Sequence, residues 1–435
     1  MSARAPGRIA YVNARLLDPA SGLDAKGALL TDGEMIVDVG PGLFANGVPS
    51  GIETIDCHGI CLAPGLVDMR VALREPGQEH KESLRSGGEA AVAGGVCSMI
   101  CLPDTDPIID DVAAVEFVAR RARKIGLAKV YPYAAATKRL EGKEMAEIGL
   151  LAEAGAVGFT DGTRAIQSAR LMRRALSYAA TFGLMIVQHP EEPSLAEGGV
   201  MNEGELASRL GLSGIPSAAE AMMLERDMRL VELTGGRYHA AHLSTAAGVD
   251  IIRRAKKRGL PVTCDTAPPY FALNELAVSE YRTFAKLSPP LRTEDDRKAI
   301  VQAIKDGVVD AIASDHAPQD QDSKRLPFAL AEFGGIGLET LLPVTLELYH
   351  NGHLSLLDVI DRLSWAPARL LNLPAGRLQP GAAADLVLFD PDIAWRIDPT
   401  RFSSKSKNSP FDGRPVQGRV VRTVVDGRSV FVGGN

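Results

Sequence analysis

Asp161, His189, His242 and Asp315 each follow a short apolar run: GAVGFT, LMIVQ, RYHAA and DAIAS. Asp, His, His and Asp form a ligand set suited to metal-assisted hydrolysis, in which a bound cation lowers the pKa of water to about 7. A single strand-end histidine reads first as a hydrogen-bonded structural residue. Four such residues on one rim leave a metal-site origin and a structural origin level. His58, His80, His239, His350 and His353 fall away from predicted strand ends and read as structural.

The elements that must position these residues alternate along the chain. CSMICLPDT precedes the helical period DDVAAVEFVARRARKIG, RYHAAHLST precedes AAGVDIIRRAKKRG, and VVDAIASDHAP follows DDRKAIVQAIKDG. About eight such units in some 300 residues predict a parallel α/β architecture closed into a (β/α)₈ TIM barrel. No dinucleotide fingerprint and no P-loop accompany them, which weakens an open doubly wound sheet. Ser217 and Glu220 have capping-box spacing, and Gly235 stands where that helix should end. GLVDMRVALREPG, residues 65–77, places Val67, Met69, Val71 and Leu73 on one strand face and Asp68, Arg70 and Ala72 on the other. In a barrel the second face looks into the lumen.

Both chain ends read instead as short strands and turns, RIAYVNARLLDP at one and AADLVLFDPD with GRVVRTVVDGRSVFVGG at the other. They predict a small β-sandwich domain from residues 1–63 plus 370–435, with the barrel over 64–369. The chain has 435 residues, 46% of them hydrophobic, and a net charge of −6 with its cations dispersed. Such a balance argues against nucleic acid or a membrane surface as partner. No apolar run approaches the roughly 20 residues of a membrane span, and a cytoplasmic location is expected. Five cysteines without CxxC spacing predict reduced, buried thiols.

The stretches APGLVDMRVALREPGQEHKESLRSG, CLPDTDP, GAVGFTDG, HAAHLST, SPPLR, IASDHAP, FGGIGLET and NSPFDGRPVQG resemble a dihydroorotase of the amidohydrolase superfamily over essentially the full length. That resemblance implies a metal-dependent barrel with a β-sandwich from both ends. It implies that Asp161 is the carboxylate bridging two zinc ions, that His189 and His242 hold the inner metal, and that Asp315 ligates the outer metal and shuttles a proton. Arg74 would bind the substrate carboxylate, a job suited to a planar bidentate donor.

The sequence departs from the family pattern at several of these positions. Arg70 and Ala72 stand where the family has a His-x-His pair for the outer metal, so at most one zinc is expected, at the inner site, or none. Asp104 replaces the asparagine of the family's PNT and would pair with Arg74. APPYFAL and APQD replace segments that carry histidines. The expected function is a catalytically inactive dihydroorotase homologue, an assembly subunit for the aspartate transcarbamoylase catalytic subunit and itself a homo-oligomer, the partner implied by resemblance alone. The alternative is an active dihydroorotase with one zinc. Arg70 is expected to point inward and pair with Asp161 or Asp315 in place of the missing cation.

Overall fold

The computed structural model describes residues 7–433. Apolar alternation in RIAYVNARLLD turns Tyr11, Ala14 and Leu16 of β1 (Arg8–Asp18) onto a core shared with Leu29, Leu62 and Leu388. β1 pairs antiparallel with β2 (Leu23–Asp32) across a bulge at Asn13, whose left-handed φ of 55° suits an asparagine. β3 (Met35–Gly40), β4 (Glu53–Asp56) and β5 (Cys61–Pro64) complete the N-terminal contribution.

The chain then enters the barrel, whose strands are β6 (Leu66–Val71), β7 (Val96–Cys101), β8 (Lys129–Pro132) continued by β9 (Ala134–Ala135), and β10 (Phe159–Thr160). β11 (Met185–Gln188) follows. An excursion comes next, with a two-stranded sheet of β12 (Met201–Asn202) and β13 (Gly214–Ile215). β14 (Arg237–Ala240), β15 (Val262–Thr266) and β16 (Ala311–Ile312) return to the barrel. The pairings are parallel throughout, and the ring closes where Val71 bridges His316 and the Ala72 amide donates to the His316 carbonyl at 2.8 Å. With β8 and β9 taken as one interrupted strand, eight strands form the expected barrel.

β17 (Leu386–Arg396), β18 (Pro415–Val425) and β19 (Arg428–Val432) return to the N-terminal strands, in the order β19-β18-β17-β5-β1-β2-β3, with β4 beside β1. The β-rich unit is thus built from both chain ends as one continuous hydrogen-bonded sheet. It is fastened to the barrel by Thr423 Oγ1, which donates to the Val92 carbonyl at 2.6 Å, and by Lys129, which bridges Asp385 at 2.7 Å and Asp426 at 2.6 Å.

Every residue of β6 is buried, as a strand covered by helices outside and side chains inside must be. All five cysteines are buried and unpaired. One local expectation fails. Ser217 has helical φ and ψ of −57° and −25° and makes no cap bond. Glu220 is taken instead by the amides and hydroxyls of Ser244 and Thr245, four hydrogen bonds at 2.6–3.0 Å. A buried carboxylate needs that many donors, and they outweigh one local cap. Gly235 does end the helix, with φ of 66°.

Candidate functional site

The candidate site residues lie at the C-terminal mouth of the barrel, at the end of the strand that carries each or just beyond it. Arg70 is the penultimate residue of β6, Asp161 and His189 directly follow β10 and β11, His242 follows β14, and Asp315 follows β16. Arg74, His242 and Asp315 have φ of 60°, 40° and 52°, a left-handed conformation costly for residues with a Cβ and concentrated at functional sites.

Arg70 points inward and is only 2% exposed. Its Nε donates to Asp315 Oδ1 at 2.9 Å and Nη2 to the Gly162 carbonyl at 3.1 Å. Of the two partners expected for the guanidinium, Asp315 is the one engaged. Asp315 Oδ2 also meets His242 Nδ1 at 3.0 Å and accepts from the Tyr270 hydroxyl at 3.2 Å. Burial resists ionisation of Asp315, but His242 and Arg70 more than offset it and hold the carboxyl well below the usual range. Burial, reinforced by the Arg70 charge, lowers His242 to about 4, so this imidazole is neutral at pH 7.

The tautomers follow from that network. Nδ1 of neutral His242 donates to the Asp315 carboxylate, leaving Nε2 as an acceptor. His189 Nδ1 lies 2.7 Å from that Nε2 and must donate to it. His189 Nε2 in turn stands 3.5 Å from Glu191 Oε1. Asp161 stays outside this chain: its oxygens accept from the Thr137 amide at 2.9 Å and the Thr137 hydroxyl at 2.6 Å. Burial raises it to about 6 against those two bonds.

Tested against a zinc ion, this arrangement does not fit. The His242 lone pair is used by His189, both Asp161 oxygens face Thr137, and Arg70 supplies a fixed positive charge to Asp315. Ala72 offers no donor atom. Among the described residues no group of three or more His, Cys, Asp or Glu is arranged to hold a metal ion. Within the expected inner triad, His189 and His242 bond to each other, and both Asp161 oxygens are taken by Thr137.

Above this centre opens a cavity of about 580 Å³, lined among others by Arg74, Lys81, Asp104, Arg164 and Asp315. Arg74 is pinned as expected, with Nη1 3.3 Å from Asp104 Oδ2 and Nε donating to the Pro318 carbonyl at 3.3 Å. The Arg74 guanidinium is thus partly spent on a neighbouring carboxylate. Burial and the nearby Arg74 charge lower Lys81.

Several residues here went unnoticed in the sequence: Thr137, Tyr270, Lys81, Arg164 and Glu191. Tyr270 lies in APPYFAL and Lys81 in REPGQEHKE, so both segments carried a signal. Thr137, Arg164 and Glu191 sit in loops with none. His239, read as structural, is buried between Thr263 Oγ1 at 2.8 Å and Asp265 Oδ2 at 2.9 Å.

A closed barrel with polar residues at its C-terminal mouth and a β-rich unit from both chain ends defines an amidohydrolase-type protein. The Dihydro-orotase-like family model matches residues 59–247, and an Amidohydrolase family model matches 298–431. A dihydroorotase from Wolbachia sp. subsp. Brugia malayi is 47% identical, covering 98% of this chain and 96% of its own. One from Pelobacter propionicus is 45% identical, covering 96% and 98%. The solved L-hydantoinase (dihydropyrimidinase) from Arthrobacter aurescens superposes with a TM-score of 0.87 at 26% identity, over 98% of this chain and 96% of that one. The chain belongs to the dihydroorotase family of the amidohydrolase superfamily.

Proposed function

We propose that this dihydroorotase-family chain serves pyrimidine biosynthesis as a non-catalytic member, kept for its fold and surfaces. One observation carries the reading: the buried Arg70 guanidinium, 2.9 Å from Asp315, at the position the family gives to an outer-metal ligand. A +1 charge about 4 Å from a +2 ion at an effective dielectric of about 20 is repelled by roughly 8 kcal/mol. Even half of that lowers metal affinity about a thousandfold. Displacing Arg70 would leave its charge buried and unpaired, which is costly in its own right. The assembly partner consistent with this role is the aspartate transcarbamoylase catalytic subunit, together with further copies of this chain. Both rest on family resemblance.

A second reading has the support of the relatives' names. Proteins 47% and 45% identical over nearly the whole chain are called dihydroorotase, and His189 and His242 are adjacent. In it the chain is an active zinc-dependent dihydroorotase that interconverts carbamoyl-aspartate and dihydroorotate with one metal at the inner site. It requires the His189–His242 bond to break and Asp161 to leave Thr137.

Interconversion of carbamoyl-aspartate and dihydroorotate at high protein concentration, with and without added zinc and beside Asp315→Ala, separates the two. Silence in every arm, with well under one equivalent of zinc retained, is the outcome expected of the first reading. Zinc-dependent turnover lost in Asp315→Ala establishes the second.

A further inference from the structure

We infer that the junction between the barrel and the β-rich unit is a binding site for a small phosphorylated ring compound of the nucleoside monophosphate class. A cavity of about 190 Å³ opens there, away from the barrel mouth. Its wall brings together three arginines and three aromatic side chains: Arg396, Arg401 and Arg419 with Trp395, Phe402 and Phe431. They come from β17, β18, β19 and the segment after β17, while Ala93 and Pro343 close the barrel side.

The three guanidiniums are almost unused by the protein itself. Among the described residues none of them forms an ion pair, and the one protein hydrogen bond among them is Arg396 Nη1 to the Gly413 carbonyl at 3.1 Å. Neighbouring Arg414 shows the contrast, since it is engaged by both Glu347 oxygens at 2.8 Å. Two acids reach the cavity. Asp398 spends Oδ1 on the Thr400 amide and hydroxyl at 3.0 and 2.6 Å. Glu339 is raised by burial to about 8 and is neutral at pH 7; its Oε1 accepts the Ser403 and Ser404 amides at 2.8 and 3.2 Å.

A local excess of positive charge on a chain of net charge −6 calls for an anion. Guanidinium forks match phosphate geometry and charge better than a single carboxylate. The aromatic residues identify the rest of the ligand. Trp395 is held by its Nε1–H to the Gly418 carbonyl at 2.9 Å, which fixes its ring. Gly418 has φ of 105°, and a Cβ there would collide with Leu346, so glycine lets helix Leu341–His350 pack close enough to shape the opening. A fixed indole beside cations, with two further aromatic side chains on the wall, favours a planar ring attached to the phosphate. The volume lies below the roughly 300–1,000 Å³ of drug-sized pockets, which suits a monophosphate seated with one end at the rim.

The test is equilibrium dialysis of the full chain, in low-salt buffer free of phosphate, against adenosine 5′-monophosphate, adenosine and inorganic phosphate. Saturable binding of the monophosphate, with adenosine and phosphate each weaker by at least about tenfold, is expected. Arg396→Ala with Arg401→Ala, both exposed positions, and Arg401→Glu alone should each weaken it about tenfold without changing Tm. No saturable binding up to about 5 mM overturns the proposal, as does phosphate binding equal to the monophosphate. Binding that survives both variants and disappears in Arg74→Ala places the ligand at the barrel mouth and also overturns it.

Discussion

Replacing Arg70 by methionine removes the charge that holds Asp315 while keeping most of the volume. Arg70 is 2% exposed and Asp315 15% exposed at its side chain, so the pair is largely desolvated although the carboxylate borders the mouth cavity. Breaking a buried pair from one side costs about 3–5 kcal/mol. Tyr270 and His242 continue to satisfy Asp315 Oδ2, which puts the expected loss near 3 kcal/mol, a Tm lower by roughly 3–5 °C for a unit of this size. Asp315→Asn strands the guanidinium instead, leaving the Gly162 carbonyl as its partner, and should cost a similar amount. The double variant strands neither charge. A double-mutant cycle read by chemical denaturation should therefore return a coupling of about 2 kcal/mol. A coupling below about 0.5 kcal/mol would mean that the pair does not replace the missing cation, and the account of the centre would fail.

Three further outcomes follow from the same structure. Arg70→His with Ala72→His should raise zinc retained on gel filtration, measured by elemental analysis, yet leave dihydroorotate turnover absent, because Asp104 still occupies Arg74; turnover at family-typical rates would show that metal loss was the only defect. Thr137→Val deletes the 2.6 Å bond to Asp161 and the one Gly142 donates to the hydroxyl, and should lower stability by about 1–3 kcal/mol in urea melts; an unchanged midpoint would mean Asp161 is not held there. Glu339, at about 8 in the folded chain against 4.5 ordinarily, keeps its proton in the native state after the unfolded chain has lost it. Glu339 therefore contributes stability that is lost as pH rises from about 4.5 to 8, and Glu339→Gln should differ from the wild type by that contribution, its stability falling less across the window in melts taken there; parallel curves would refute the assignment.

The sequence by itself determined the architecture and the charged residues at the strand ends of the site. Alternating strands and helical periods dictate a closed parallel barrel, because each unit must bury its sheet face, and two-residue alternation on β6 dictates that Arg70 and Ala72 face the lumen. The charge match that joins Arg74 to Asp104 is likewise written in the residues. Only the tertiary structure decided what those residues do to one another. The choice of Asp315 over Asp161 as the partner of Arg70 depends on where Thr137 arrives, and that threonine lies in a loop 24 residues before Asp161. The His189–His242 bond joins residues 53 apart, and the ring of Glu220 donors comes from the neighbouring strand end. The arginine and aromatic cavity draws on strands that meet through sheet pairing across distant parts of the chain. Local pattern sets which face a side chain takes; which partner satisfies a buried charge is settled by desolvation, where donors distant in sequence compete and the packing that supplies most of them wins.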